Sequence, residues 1–420
     1  MNAREIVDGL PPVLGGFDLT DQTRFAEGTP YELFARLRVA APVLWHPPGR
    51  SADGESFWVL TRHEDIAAVA ADPVFSAEGG GGRAGGGNHL DDLPMGVIPG
   101  VMIAMMDDPR HDVIRRLLAP SVTGRAVTAL RGDLRAMANE LVAPFVGAGP
   151  VNFVDDVSHP FAVQAMAVLL GVPEADWGRL RDWSHHALGF LNRRTGEADA
   201  KSAEIFGAMR EYFGGLLAAK RAAPGPDLGS VLAAGDPPPG QPPLSDAERE
   251  VNANVLMVTG LEQPRNTIAG AVRAFAEHPD QWRLLREHRE LLPSAIEEVL
   301  RWNPPNPYNR RTATRDVVLR GNLIRAGQKV TLWWPSANRD EAVFTDPDTF
   351  DIRRDPNPHL SFGHGAHFCL GDEVGKLEIA LVLEALLDRV REIRPAGPVV
   401  WGASNKHTIP LDVPVELLPE

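Results

Sequence analysis

The chain has a single cysteine, Cys369, which closes the run Phe362-Gly363-His364-Gly365-Ala366-His367-Phe368-Cys369 just ahead of a long segment of helical apolar spacing. One cysteine excludes an internal disulfide framework and any multi-cysteine zinc or iron–sulfur site. Alone it would read as a small buried hydrophobe. Its surroundings argue for chemistry. Gly363 and Gly365 permit a tight, unusual backbone ahead of it. The helix expected over 370–390 puts the sulfur at a helix start, where the macrodipole and free N–H groups favour a thiolate. Gly371 lets a flat ligand approach the backbone, and Phe362 can shield the sulfur from water. A lone thiolate in such a nest suits a haem iron with one protein axial ligand.

The 420 residues are 44% hydrophobic, enough for a sizeable core. No stretch approaches the ~18 consecutive apolar residues of a membrane helix. Residues 1–12 lack the basic start and apolar middle of a signal peptide, so a cytoplasmic protein is expected. A net charge of −14 argues against nucleic-acid binding, which needs a basic footprint.

Helical spacing dominates. One short helix is expected through Ile66, Val69 and Ala70, stopped at Asp72-Pro73. Helices follow over 107–224, 246–277 and 293–302, the last stopped by Asn303-Pro304-Pro305. Strands are expected at 57–61, 317–319 and 329–332. The glycine-rich stretch 78–88 lacks the Gly-Lys-Ser/Thr ending of a phosphate cradle and reads as a flexible loop. The apolar, proline-broken stretch 95–106 suits a loop over a ligand cavity. A proline- and glycine-rich connector spans 223–245, and 338–362 reads as structureless but punctuated by aromatics.

The cysteine segment resembles the haem-binding loop of cytochrome P450, with Phe-Gly-x-Gly-x-His-x-Cys-x-Gly complete from Phe362 to Gly371. The resemblance implies a mainly α fold with minor β over a single domain, 1–420. Haem b would lie between a long distal helix and the Cys369 loop and helix. Glu298-Val299-Leu300-Arg301 is similar to the family's structural Glu-x-x-Arg. A second copy, Glu262 to Arg265, stands in another context. Asn338-Arg339-Asp340 and Asp346 to Asp351 resemble the meander after that motif, with Arg353 expected to cap its network. By the same resemblance His111, Arg115, Arg311 and His367 bind the haem propionates. Buried propionates need such cations.

Met257 to Asn266 resembles the helix crossing the distal haem face, where the family reads small-Gly-x-acid-Thr. Gly260 and Glu262 match, but Gln263 replaces the threonine. In the family the acid and alcohol hold water and relay protons during dioxygen activation. A glutamine amide hydrogen-bonds but does not titrate, so Glu262 would carry the protons. Pro264 has no N–H for the Gly260 carbonyl, which predicts local unwinding over 260–264 and a carbonyl open to water. Arg265, three residues from Glu262, is a candidate to park the acid away from oxygen.

The resemblance also implies a substrate wall of Met95, Val97, Ile98, Met102, Val255, Val258 and Thr259. Asn306, Asn309 and the 404–408 turn would join it, with 185–195 at the entrance. Such a site fits a medium-sized hydrophobic natural product, lipid or sterol-like molecule. Electrons would come from NAD(P)H only indirectly, through a ferredoxin and its reductase. Arg115, Arg116 and Lys376 are candidates to steer that acidic partner. Two alternatives keep the fold. One is peroxide-driven, coupling or rearranging chemistry suggested by Gln263. The other is a haem carrier or sensor without turnover.

Overall fold

The computed structural model describes residues 10–49, 52–188 and 191–420. Eight helices carry the argument: α1 (Arg110–Leu118), α2 (Arg125–Val142), α3 (His159–Leu170), α4 (Trp177–His186), α5 (Ala200–Ala222), α6 (Asp246–Glu277), α7 (Leu292–Trp302) and α8 (Asp372–Leu387). The expected helices at 246–277 and 293–302 are thus present to within a residue. The connector 223–245 holds an unforeseen short helix, Leu228–Ala234, capped by the Asp227 side chain on the Ser230 N–H.

Helix α6 is the axis. A reciprocal capping box starts it: Ser245 Oγ accepts from the Glu248 N–H at 3.1 Å, and Glu248 Oε2 accepts from the Ser245 N–H at 2.7 Å. The helix then runs unbroken to Glu277 with Pro264 inside it, so the expected unwinding over 260–264 does not occur. Packing outweighs the local proline penalty, because α6 is buried on most faces by α3, α5, α8 and their neighbours. A Cβ at Gly260 would meet the end of the Met166 side chain of α3, which would have to turn aside.

The strands split between two main sheets. Strands β1 (Val43–His46), β2 (Phe57–Leu60), β3 (Phe75–Ser76), β4 (Tyr308–Ala313) and β5 (Lys329–Trp333) lie in the order β1-β2-β5-β4-β3. Only β2 and β5 pair in parallel. Register sets Arg311 opposite Val330, which fixes the arginine in a buried sheet. Sequence patterning missed β4. It also missed the second sheet, where Val390–Pro395, Pro414–Pro419 and Pro150–Asn152 pair antiparallel.

Helix α7 locks the centre. Arg301 and Glu298 are both fully buried, and the guanidinium binds the carboxylate through two bonds of 2.8 Å. The remaining N–H groups reach the carbonyls of Asn338, Pro347 and Thr349 at 2.8–3.0 Å. The residue that closes this network is Arg354, not the expected Arg353. Arg354 donates to Glu298 Oε2 at 3.2 Å and to the carbonyls of Thr345, Asp346 and Thr349. Arg353 faces solvent and pairs with Asp351.

Glu378 on α8 is fully buried, and neither carboxylate oxygen has a hydrogen-bond partner. Burial pushes its carboxyl well above the usual carboxylate range. The folded chain therefore holds a proton that the unfolded chain releases above about pH 4.5, and stability falls as pH rises from there toward the raised value. Glu378→Gln is expected to melt about 2–4 °C higher than the parent at pH 8, with the gap closing toward pH 4.5. Parallel melting curves at all pH values would contradict this.

Candidate active site

The cysteine loop is built as its glycines require. Gly363 and Gly365 have φ of +76° and +73°. A Cβ at Gly365 would press on the Ala70 carbonyl at 2.8 Å. The Cys369 N–H donates to the Phe362 carbonyl at 2.8 Å, which closes the loop on itself. Helix α8 begins at Asp372, two residues later than a helix starting at Leu370 would. Burial pushes the Cys369 thiol up to about 11, although the Gly371 N–H bonded to it and nearby Arg115 work the other way. The helix end alone therefore does not make a thiolate here. A coordinated metal cation would.

Four basic groups converge beside this loop. His111 and Arg115 come from one face of α1, Arg311 from β4 and His367 from the loop. The rings of His111 and His367 lie 4.2 Å apart, and Arg115 Nη1 donates to the Phe368 carbonyl at 2.7 Å. Arg311 is buried, and its hydrogen bond is to the carbonyl of Arg310. Burial draws its guanidinium down to about 10 against the pull of Asp107. Burial, together with Arg311, His111 and Arg115, draws His367 down to about 2. Neither Arg115 nor Arg311 forms an ion pair with a carboxylate among the described residues. Two guanidiniums without carboxylate partners thus stand beside two imidazoles able to hydrogen-bond, and two propionates suit them. A Cβ at Gly371 meets nothing within 4 Å, which leaves the flat approach that was expected there. The residues fit a haem held through Cys369.

On α6, Glu262 is fully buried. Arg193, from the turn after α4, donates Nη1 to both its oxygens at 2.6 and 2.5 Å. Arg265 is more distant, 3.7 Å away, and spends Nη1 on Asn266 Oδ1. The parking partner is thus chiefly Arg193, a residue that sequence reasoning left unassigned within 185–195. Burial pushes the Glu262 carboxyl up, but Arg193 and Arg265 outweigh it and hold it at about 2. Gln263 Nε2 meets His407 Nδ1 at 3.2 Å, while Gln263 Oε1 is buried without a partner. Burial lowers His407 to about 4 despite Glu262 nearby, so its imidazole is neutral.

Midway along an otherwise buried helix, Val255, Val258, Thr259, Gly260 and Gln263 are half-buried or exposed, so this face looks onto accessible space. Val258 packs with Leu188, Ile409 and Leu411 into one apolar wall. The 404–408 turn docks on the Asn-Pro-Pro turn, with the Thr408 N–H and Oγ1 both donating at 2.9 Å to the Pro305 and Pro304 carbonyls. Asn309 Oδ1 accepts from Asn306 at 2.7 Å and from Trp334 at 3.1 Å. Asn306 keeps a buried, unpartnered Oδ1. Met95 and Val97 are exposed, and Ile98 and Met102 are half-buried.

The family profile described as Cytochrome P450 matches residues 270–393. Over 399 residues the chain is 43% identical to a putative cytochrome P450 126 of Mycobacterium tuberculosis, covering 94% of this chain and 96% of that protein. It is 37% identical to a steroid C26-monooxygenase of the same species, covering 92% and 88%. Among solved structures, a Mycobacterium marinum cytochrome P450, CYP268A2, in complex with pseudoionone, superposes with a TM-score of 0.84 at 30% identity, covering 95% and 97%.

Proposed function

This chain belongs to the cytochrome P450 family, and from that premise we propose that it oxygenates a medium-sized hydrophobic small molecule of natural-product, lipid or sterol-like character. Electrons would arrive from NAD(P)H through a separate ferredoxin and ferredoxin reductase. Its class is haem-thiolate monooxygenase. When bound, the haem supplies dioxygen reduction and transfer of one oxygen atom to substrate.

The chain's own residues bind, orient and handle protons. Cys369 is the residue to ligate iron, with His111, Arg115, Arg311 and His367 for the propionates and Phe362, Gly363 and Gly371 lining the loop. The observation that carries the substrate reading is the accessible apolar stripe of α6, walled by Val255 and Val258 with Leu188, Ile409 and Leu411. The buried acceptors Gln263 Oε1 and Asn306 Oδ1 suit a hydroxyl or N–H of the bound molecule. Relatives named for a steroid, at 37% identity, and for linalool, at 33%, point to the same class. Titrating steroids, terpenes and fatty acids while following the haem absorption tests it. A saturable spectral shift with one class, and an oxygenated product from it, is expected. Shifts only with small polar compounds would sink the substrate assignment.

The ferredoxin surface draws less support from charge than the sequence suggested. Arg116 is paired with Asp112 at 2.9 Å and Lys376 with Glu297 at 2.7 Å, which leaves Arg115 as the one without a carboxylate partner among these three.

Gln263 favours one second reading, oxidation driven by peroxide. The side chain has no hydroxyl, and its N–H₂ is engaged by His407. Peroxide brings its own protons and electrons, so it has less need of a relay. Turnover supported by peroxide and not by a ferredoxin system would select this reading.

A further inference from the structure

One turn of π-helix, Val154–Ser158, runs directly into α3. It sets Asp155 and His159 on adjacent turns of one continuous helical path, while His185 comes from the last turn of α4. Such π-turns inside helices often mark functional positions. Each of the three side chains brings one metal-ligating atom, and these atoms lie within 4.8 Å of one another. His185 Nδ1 is 3.6 Å from Asp155 Oδ1, and the two imidazole centroids are 5.8 Å apart. None of the three belongs to the cysteine loop or the propionate cluster.

The buried member is prepared as a ligand. His159 is 2% exposed, and its Nε2 lies 2.9 Å from Ser184 Oγ. Ser184 Oγ also lies within hydrogen-bond reach of two main-chain carbonyls, Leu180 at 2.8 Å and Arg181 at 3.1 Å. With the Ser184 hydroxyl proton on one of these carbonyls, the imidazole donates from Nε2 and offers its Nδ1 lone pair to a metal. Burial, with Arg265 and Arg193 nearby, draws His159 down to about 2, so the ring is neutral at any working pH. A hydrogen bond that fixes the tautomer of a ligating histidine is the usual support of a metal site. The surrounding charge is mixed, and Arg265 and Arg193 both act on His159. Carboxylates Asp155, Asp156, Asp412 and Glu262 stand in this region against the guanidiniums of Arg193 and Arg265.

We propose that Asp155, His159 and His185 bind a divalent transition-metal ion of the zinc class. Two imidazoles and one carboxylate select zinc or its neighbours over magnesium or calcium, which prefer an all-oxygen shell. Three protein ligands leave a fourth position for water. Bonds of about 2.0–2.1 Å require the ligand atoms to draw in to about 3.3 Å of one another in a tetrahedron. Asp155 and His185 are exposed, and Asp155 Oδ2 accepts from Asn152 Nδ2 at 3.0 Å while its Oδ1 faces His185, so closing the site needs side-chain rotation at the surface. The site is wired to the acid on α6. Ser184, which holds His159, accepts through its carbonyl from Arg193 Nε at 3.1 Å and Nη2 at 2.5 Å, and Arg193 in turn grips Glu262.

The test is calorimetric titration of zinc sulfate into tag-free, chelator-stripped, haem-loaded protein, compared with His185→Ala and Asp155→Asn. Both substitutions replace exposed side chains, and an unchanged haem spectrum serves as the folding control. One saturable site per chain is expected in the parent, weakened about tenfold or more in each variant. No saturable binding in the parent, or equal binding in all three proteins, would overturn the proposal.

Discussion

Arg301→Ala leaves little folded, haem-competent protein. The guanidinium is fully buried and makes five hydrogen bonds, two to Glu298 and three to the carbonyls of Asn338, Pro347 and Thr349. Removing it strands a buried carboxylate and those carbonyls together. Breaking a buried pair from one side costs about 3–5 kcal/mol, against a total stability of about 5–15 kcal/mol for a folded protein. Arg354 and Asn357, at 3.2 and 3.1 Å from Glu298 Oε2, soften the loss for the acid but not for the carbonyls. Arg301→Lys is expected to fail almost as badly, because an ammonium cannot reproduce the planar fork. Haem per chain and the melting temperature of purified protein decide it. A variant with full haem content and parental melting would show that α7 does not lock the core.

Glu262→Gln is expected to cut turnover about 10²-fold while substrate still shifts the haem spectrum as in the parent. The carboxyl is held at about 2 by Arg193 and Arg265 against its burial. It is thus ionised at neutral pH and can take a proton only when Arg193 lets go. Two consequences follow from the sign of that shift. Its contribution to stability is present above the unfolded value of about 4.5 and is lost as pH falls through about 2. Replacing Arg193 by Gln removes the chief opposing charge, so burial raises the carboxyl and turnover gains a pH dependence that the parent lacks near neutrality. Melting temperatures separate this from simple damage. If both variants melt lower yet keep the parental rate and a flat pH profile, Glu262 is a structural anion and no more.

The parts of this protein that sequence made legible are those written in consecutive residues. The cysteine loop needs Gly363 and Gly365 at positive φ, and the Glu298–Arg301 pair needs only a helical spacing of three. Both could be named in advance. Arg193 could not, because it reaches Glu262 across 69 residues and belongs to no local pattern. Arg354 was missed in favour of its neighbour Arg353 for a related reason: which of two adjacent arginines points inward is set by the fold of the meander. Pro264 shows the opposite failure. Its local preference was read correctly, but a helix packed on most sides stays helical. Strand β4 and the sheet closed by Pro414–Pro419 escaped because their pairing is distant in sequence and arginine, glutamate and proline residues break up their apolar alternation.

The central claim is that Cys369 is the iron ligand, and the visible spectrum of dithionite-reduced protein under carbon monoxide, parent against Cys369→Ser, tests it most directly. A strongly red-shifted Soret band in the parent that is lost in the variant is the predicted result, since the shift reports thiolate ligation of the iron. The same band in both proteins, or no haem band in the parent, would contradict it.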